Sequence, residues 1–132
     1  MRLQVPPNCD LTLGLRCVEK TEPGRTIWEM RADERFANPG GVIQGGFLSA
    51  MLDSSMGASA VTSLNGRRAR VANAEMKVSF YRSAKVGSLL TCEAVAIESG
   101  STVIFVEGTI TDDEQRVIAK ASSTYIAKER SQ

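Results

Sequence analysis

Residues 45–64 read GGFLSAMLDSSMGASAVTSL, twenty positions without a proline and with one charge, Asp53. Such a run predicts a single long helix, spanning roughly 30 Å. Asn65-Gly66 supplies the stop, because both residues tolerate the left-handed backbone that ends helices. Ahead of it, residues 33–44 predict a loop, with Asn38-Pro39-Gly40-Gly41 as turn chemistry. On a helical wheel Phe47, Leu48, Met51, Leu52 and Met56 cover a wide apolar arc, and most of the rest is Ala, Ser and Gly. A helix of that kind is expected to be buried on most sides. Its Ser, Thr, Gly and Asp content argues against a membrane span.

Outward from the helix the pattern changes to period two. Residues 70–81, 88–98, 102–111 and 117–127 each predict a strand. The separators Ser83–Gly87, Ser99-Gly100-Ser101 and Asp112-Asp113-Glu114-Gln115 carry turn residues and are short. They suit an antiparallel meander. On the N-terminal side, residues 25–32 predict a strand whose alternation Trp28 breaks, and Glu22-Pro23-Gly24 predicts a turn. Residues 11–20 fit a strand, with a short helix as the other option, and residues 1–10 read as a lead-in. The expected architecture is α+β, a curved antiparallel sheet with one long helix against its inner face. The whole of 1–132 is expected to be one domain.

Composition narrows the chemistry. The net charge of +1 gives no basic field for nucleic acid. Pro6, Pro7, Asn8 and Asp10 break any apolar run near the N-terminus, so no signal peptide is read and a cytoplasmic protein is expected. Cys9, Cys17 and Cys92 lack CxxC spacing and suit reduced thiols. There is no histidine. That excludes Ser-His-Asp and Cys-His catalysis and His-ligated zinc. No metal or cofactor is expected, and a general base must be Asp, Glu, Lys, Tyr or Cys.

Asp53 stands out on these grounds. The wheel places it beside Ser49, Gly57 and Ala60, where small side chains leave room for a backbone or a ligand. A carboxylate on a buried helix is costly unless paired or used, so it is either a structural Asp or a working one. Gly45-Gly46 opens the helix where backbone N–H groups are free and the helix dipole is positive. A developing oxyanion fits there. A glycine-rich loop with unusual dihedrals is the other reading.

The segment Asn38–Asp53 resembles the signature of PaaI-type acyl-CoA thioesterases in the hotdog-fold superfamily. That signature has an Asn, six residues later a His-Gly-Gly, and an acidic residue eight after the first Gly. Asn38, Gln44-Gly45-Gly46 and Asp53 keep the spacing, and residues 74–87 and 117–126 look similar as well. The resemblance implies an acyl-CoA substrate, with the Gly45 N–H polarising the thioester carbonyl and Asn38 positioning the carbonyl or the water. It implies Asp53 as nucleophile or general base, and Asn73 where relatives carry a hydroxyl that holds the water. Gln44 replaces the usual His; it can orient through hydrogen bonds but cannot transfer a proton. Gly46, Ser49, Met56 and Arg82 are candidate substrate contacts. Met51, Met56 and Phe80 could line an acyl pocket or pack a core. Arg82, with Arg67, Arg68, Arg70, Lys85, Lys128 and Arg130, could meet CoA phosphates or be ordinary solvated charge.

Gly45 and Asp53, eight residues apart on one helix, would be separated by roughly 12 Å. An oxyanion donor and a base must both reach one thioester, within roughly 3 Å. Two chains with antiparallel helices could pair Gly45 of one with Asp53 of the other, giving a twofold homodimer with two sites. The resemblance implies the same dimer; a tetramer of two dimers is compatible. A non-catalytic acyl-CoA-binding hotdog module and a structural domain with a buried Asp are the competing readings. The missing histidine disfavours a hotdog dehydratase.

Overall fold

The computed structural model describes residues 5–130. Its elements are helix α1 (Asn8–Leu13), strands β1 (Arg16–Glu19) and β2 (Arg25–Arg31), a 3-10 turn (Glu34–Phe36), helix α2 (Gly45–Ser63), and strands β3 (Ala69–Phe80), β4 (Leu89–Ser99), β5 (Val103–Thr111) and β6 (Val117–Glu129). All six strands form one antiparallel sheet in the order β1-β2-β4-β5-β6-β3, and α2 lies on its inner face. This is the expected α+β architecture. No described helix is long and apolar enough to cross a membrane.

The sheet holds α2 by close packing and by a small polar network. Met51, Leu52 and Met56 are fully buried, each contributing about 1.5–3 kcal/mol of transfer free energy. Gly108 on β5 lets the helix approach: a Cβ there would come 3.0 Å from Met56 Cγ and 3.1 Å from Leu52 Cδ2. Buried Thr26 Oγ1 lies 2.7 Å from Ser59 Oγ and accepts from Trp28 Nε1 at 2.9 Å. Ser59 Oγ donates to the Ala94 carbonyl at 2.8 Å, tying α2 to β2 and β4. At the helix entry, Phe36 stacks on Phe47 with centroids 4.4 Å apart, and Gln44 N donates to Phe36 O.

Four expectations need correction. Residues 11–20 are not one strand: α1 spans residues of both the lead-in and that segment, and Gly14, at φ 70, separates it from β1. The first four residues of the lead-in lie outside the described residues. Trp28 does not break the alternation of β2. Thr26 and Met30 are the fully buried residues, Trp28 shares their parity, and Ile27 has the opposite one. The four later strands are not a simple meander. Only β4-β5-β6 is; β3 pairs with β6 at the edge, while β4 pairs with β2 in the interior. The connection 81–88 therefore crosses from one side of the sheet to the other. It is tied down by buried Ala84 and a Val42–Lys85 bridge just ahead of α2.

The fourth correction concerns burial. Leu48, Met51, Leu52, Ser55, Met56, Ser59 and Ala60 face the sheet. Ser49, Ala50, Asp53, Ser54, Gly57, Ala58 and Val61 are half-buried or exposed in the single chain. One sheet covers one side of a helix, and the small residues that suggested burial all round lie on the open side. Ala60 belongs to the buried face rather than to that of Asp53.

Candidate active site

Asp53 stands on the open face of α2. Its Oδ1 accepts from Asn73 Nδ2 at 3.0 Å and lies 3.2 Å from the Tyr125 hydroxyl. That hydroxyl is also 3.1 Å from the Asp53 carbonyl and 3.4 Å from Asn73 Nδ2. Asn73 and Tyr125 meet because they are directly opposed in the β3–β6 register. A bulge follows at once between Asn73 and Glu75, a device that re-aims side chains at sheet edges. Among the described residues, Asp53 Oδ2 has no hydrogen-bond partner.

A cavity of about 580 Å³ opens beside this carboxylate. Trp28, Gly57, Ala58 and Val61 form apolar wall, Cys9 and Cys17 add thiols, and Asp53, Asp10 and Lys20 are the charged residues of the lining. The helix face that stays open in the single chain thus forms one wall, and α1 with β1 and β2 forms the other. The described residues hold no cluster of His, Cys, Asp and Glu suited to a metal ion.

The other candidates gather at the start of α2. The Gln44 side chain makes no capping bond, so the first-turn N–H groups are left to other partners. Gly45 lies under the ring of Phe80; a Cβ there would come 3.0 Å from Phe80 Cζ. Asn38 Oδ1 accepts from Gly40 N at 2.9 Å and shapes the loop, leaving its amide nitrogen for other work. Gly46 lines a separate cavity of about 460 Å³ against α1, and Ser49 is half-buried and is not in the lining of either cavity. Arg82 is exposed, 3.5 Å from the Val117 carbonyl. Met56 is a core residue packed over Gly108, not a wall of the open cavity, because its side chain faces the sheet. Arg67 is paired with Glu129 at 2.7 Å.

The choice of base narrows accordingly. Burial pushes the Cys92 thiol up to about 12, so it stays protonated. Burial, then the nearby Asp53 charge, raises the Tyr125 hydroxyl above its ordinary range, which makes it a donor rather than a base. Two carboxylates line the cavity, Asp10 and Asp53. Asp10 is buried beside Cys9, whereas Asp53 is exposed, with Oδ1 held by Asn73 and Tyr125 and, among the described residues, no partner on Oδ2. Sequence reasoning missed Tyr125, although it is the only bulky polar side chain in the inward row Ala119, Ala121, Ser123, Tyr125, Ala127.

Residues 40–119 match the thioesterase superfamily. The chain belongs to that family. Among curated relatives, a Saccharolobus solfataricus protein named as an esterase is 34% identical over 112 residues, covering 84% of this chain and 78% of its own. Human acyl-coenzyme A thioesterase 13 is 24% identical, covering 93% of this chain and 81% of its own. A thioesterase structure from Ralstonia eutropha, described as phenylacetic acid degradation-related, superimposes with TM-score 0.83 at 31% identity, covering 94% and 92%. A thioesterase of Streptococcus pneumoniae solved with coenzyme A gives TM-score 0.79 at 20% identity, covering 89% and 91%. The fold of this thioesterase is the hotdog fold, and its reaction class is thioester hydrolysis.

Proposed function

We propose that this thioesterase hydrolyses an acyl-CoA to the free acid and CoA, with Asp53 as nucleophile or general base. The observation that carries the reading is the asymmetry of its carboxylate: Oδ1 is held by Asn73 and Tyr125, and Oδ2, beside a largely apolar cavity, has no partner among the described residues. The acyl group lies in that cavity, against Trp28, Ala58 and Val61. Oδ2 either removes a proton from water or attacks the carbonyl carbon, expelling the CoA thiolate and leaving a mixed anhydride that water then opens. The CoA-bound Streptococcus pneumoniae neighbour and the human acyl-CoA thioesterase relative support CoA as the carrier. Arg82 and Lys85 offer cations near the start of α2, and Arg70 and Lys128 near its end.

The oxyanion donor is the Gly45 N–H of a second chain, with that chain's Asn38 and Gln44 orienting the carbonyl. Two features support a twofold dimer. Gly45 and Asp53 lie at separate places on one helix, and β3 is a twelve-residue edge strand with one side unpaired. The test is CoA release from a panel of acyl-CoAs. Asp53→Asn and Asp53→Ala are expected to lower kcat by roughly 10²–10⁴, with the fold retained because the side chain is exposed. Wild-type turnover in Asp53→Ala would defeat the assignment. Gln44, which cannot transfer a proton, favours a second reading, a non-catalytic acyl-CoA-binding module. Acyl-CoA bound without turnover by the wild type would establish that instead.

A further inference from the structure

We infer that Tyr125 is a positioning residue for Asp53: its buried hydroxyl, together with the Asn73 amide, pins Oδ1 and so presents Oδ2 to the reacting group. The inference rests on Asp53 being the working carboxylate, as proposed above. Asp53 is exposed, and an exposed carboxylate on a helix surface would otherwise sample several rotamers. Tyr125 cannot: it is 3% exposed and fixed by its strand pairs, Asn73 on β3 and Ile104 on β5. Its ring passes Gly57, one turn beyond Asp53, where a Cβ would already stand 3.6 Å from the hydroxyl. The hydroxyl has one proton and two acceptors in reach, Oδ1 at 3.2 Å and the Asp53 carbonyl at 3.1 Å. Both acceptors belong to the same residue, so either choice registers the backbone and the carboxylate of Asp53 against β6. Asn73 Nδ2 completes the triangle by reaching both Oδ1 and the phenol oxygen. Near-attack geometry fails with misplacements of about 1 Å, so such a brace belongs to the rate rather than to binding.

The experiment compares wild type, Tyr125→Phe, Asp53→Asn, Asp53→Ala and the Tyr125→Phe/Asp53→Asn double variant on one turned-over acyl-CoA, with melting curves for each. Tyr125→Phe keeps the ring and removes only the hydroxyl. We expect kcat to fall roughly tenfold, the rate equivalent of one hydrogen bond to a charged group, with KM unchanged within about twofold because Tyr125 does not touch substrate. On the residual turnover of Asp53→Asn, adding Tyr125→Phe is expected to cost nothing further. An unchanged kcat in Tyr125→Phe, while Asp53→Ala is dead, would overturn the positioning role and leave the assignment of Asp53 standing. The same fractional loss with and without Asp53 would overturn it too, marking Tyr125 as structural. Full turnover in Asp53→Ala would remove the role of Asp53 and the inference with it.

Discussion

Two aspartates show how surroundings decide what a carboxylate does. Asp112, in the β5–β6 turn, is 5% exposed and wholly committed. It accepts from the backbone N–H of Glu114 at 3.0 Å and of Arg116 at 2.9 Å, and from the Arg116 guanidinium at 2.9 Å. Burial pushes its carboxyl up, but these three donors outweigh it and hold the group below the usual range. The sign follows: a depressed folded pKa means the stabilisation is full above the unfolded value, near 3.9, and is lost as pH falls through the folded one. Asp112→Asn should therefore lower the melting temperature at pH 7, and the gap to wild type should close below about pH 4. A gap that stays constant down to pH 2 would contradict this account. Asp53 is the opposite case, with one oxygen held and the other without a partner among the described residues. It was legible in the sequence because it is the lone charge between Val42 and Asn65, at a recognisable spacing from Gly45. Its brace was not legible, because Tyr125 reaches it only through the β3–β6 register and the bulge after Asn73. Neither is encoded in local periodicity.

At the scale of elements, α2 was read correctly in extent and incorrectly in burial. Periodicity gives the length of a helix and its apolar arc; it does not say how many sides the fold will cover. Here one side meets the sheet and the other carries Ala58, Gly57 and Val61 into a cavity closed by α1 and Trp28. The short helix α1 was also the harder element to read, since six residues are too few for the 3.6 period to outweigh an alternating pattern. If this cavity takes the acyl group, a bulky residue on the open face of α2 should shorten the accepted chain. Ala58→Phe is expected to lower kcat/KM for medium-chain acyl-CoAs by roughly a hundredfold, since each lost methylene contact in an apolar pocket counts for about 1–3 kcal/mol. Acetyl-CoA should be turned over as in the wild type, and the melting temperature should hold because Ala58 is outside the core. An unchanged chain-length profile in the variant would place the acyl group elsewhere.

At the scale of the whole molecule, the strand order separates the two halves of the proposed site. β3 runs along one sheet edge with Asn73 beside Asp53, and its last residue, Phe80, covers Gly45 at the far end of the same helix. A single chain thus carries the proposed oxyanion donor and the proposed base at separate places along α2, too far apart for one thioester. In the proposed dimer a second copy, turned through a twofold axis, would bring them together twice. Complementation tests this directly. Gly45→Pro removes the N–H at a position where proline is tolerated, the first residue of a helix, and Gln44 already has the extended backbone that a following proline requires. The exposed Phe80 ring can swing aside for the added atoms. Gly45→Pro and Asp53→Asn should each retain no more than about 1% of wild-type activity alone. Co-refolded in equal amounts, about half of the dimers would be mixed, and each mixed dimer would carry one site free of both lesions. About a quarter of wild-type activity should then return. Recovery near that value would mean that the two groups act across chains; no recovery, with mixed dimers demonstrated by mass, would mean that each chain builds its site alone.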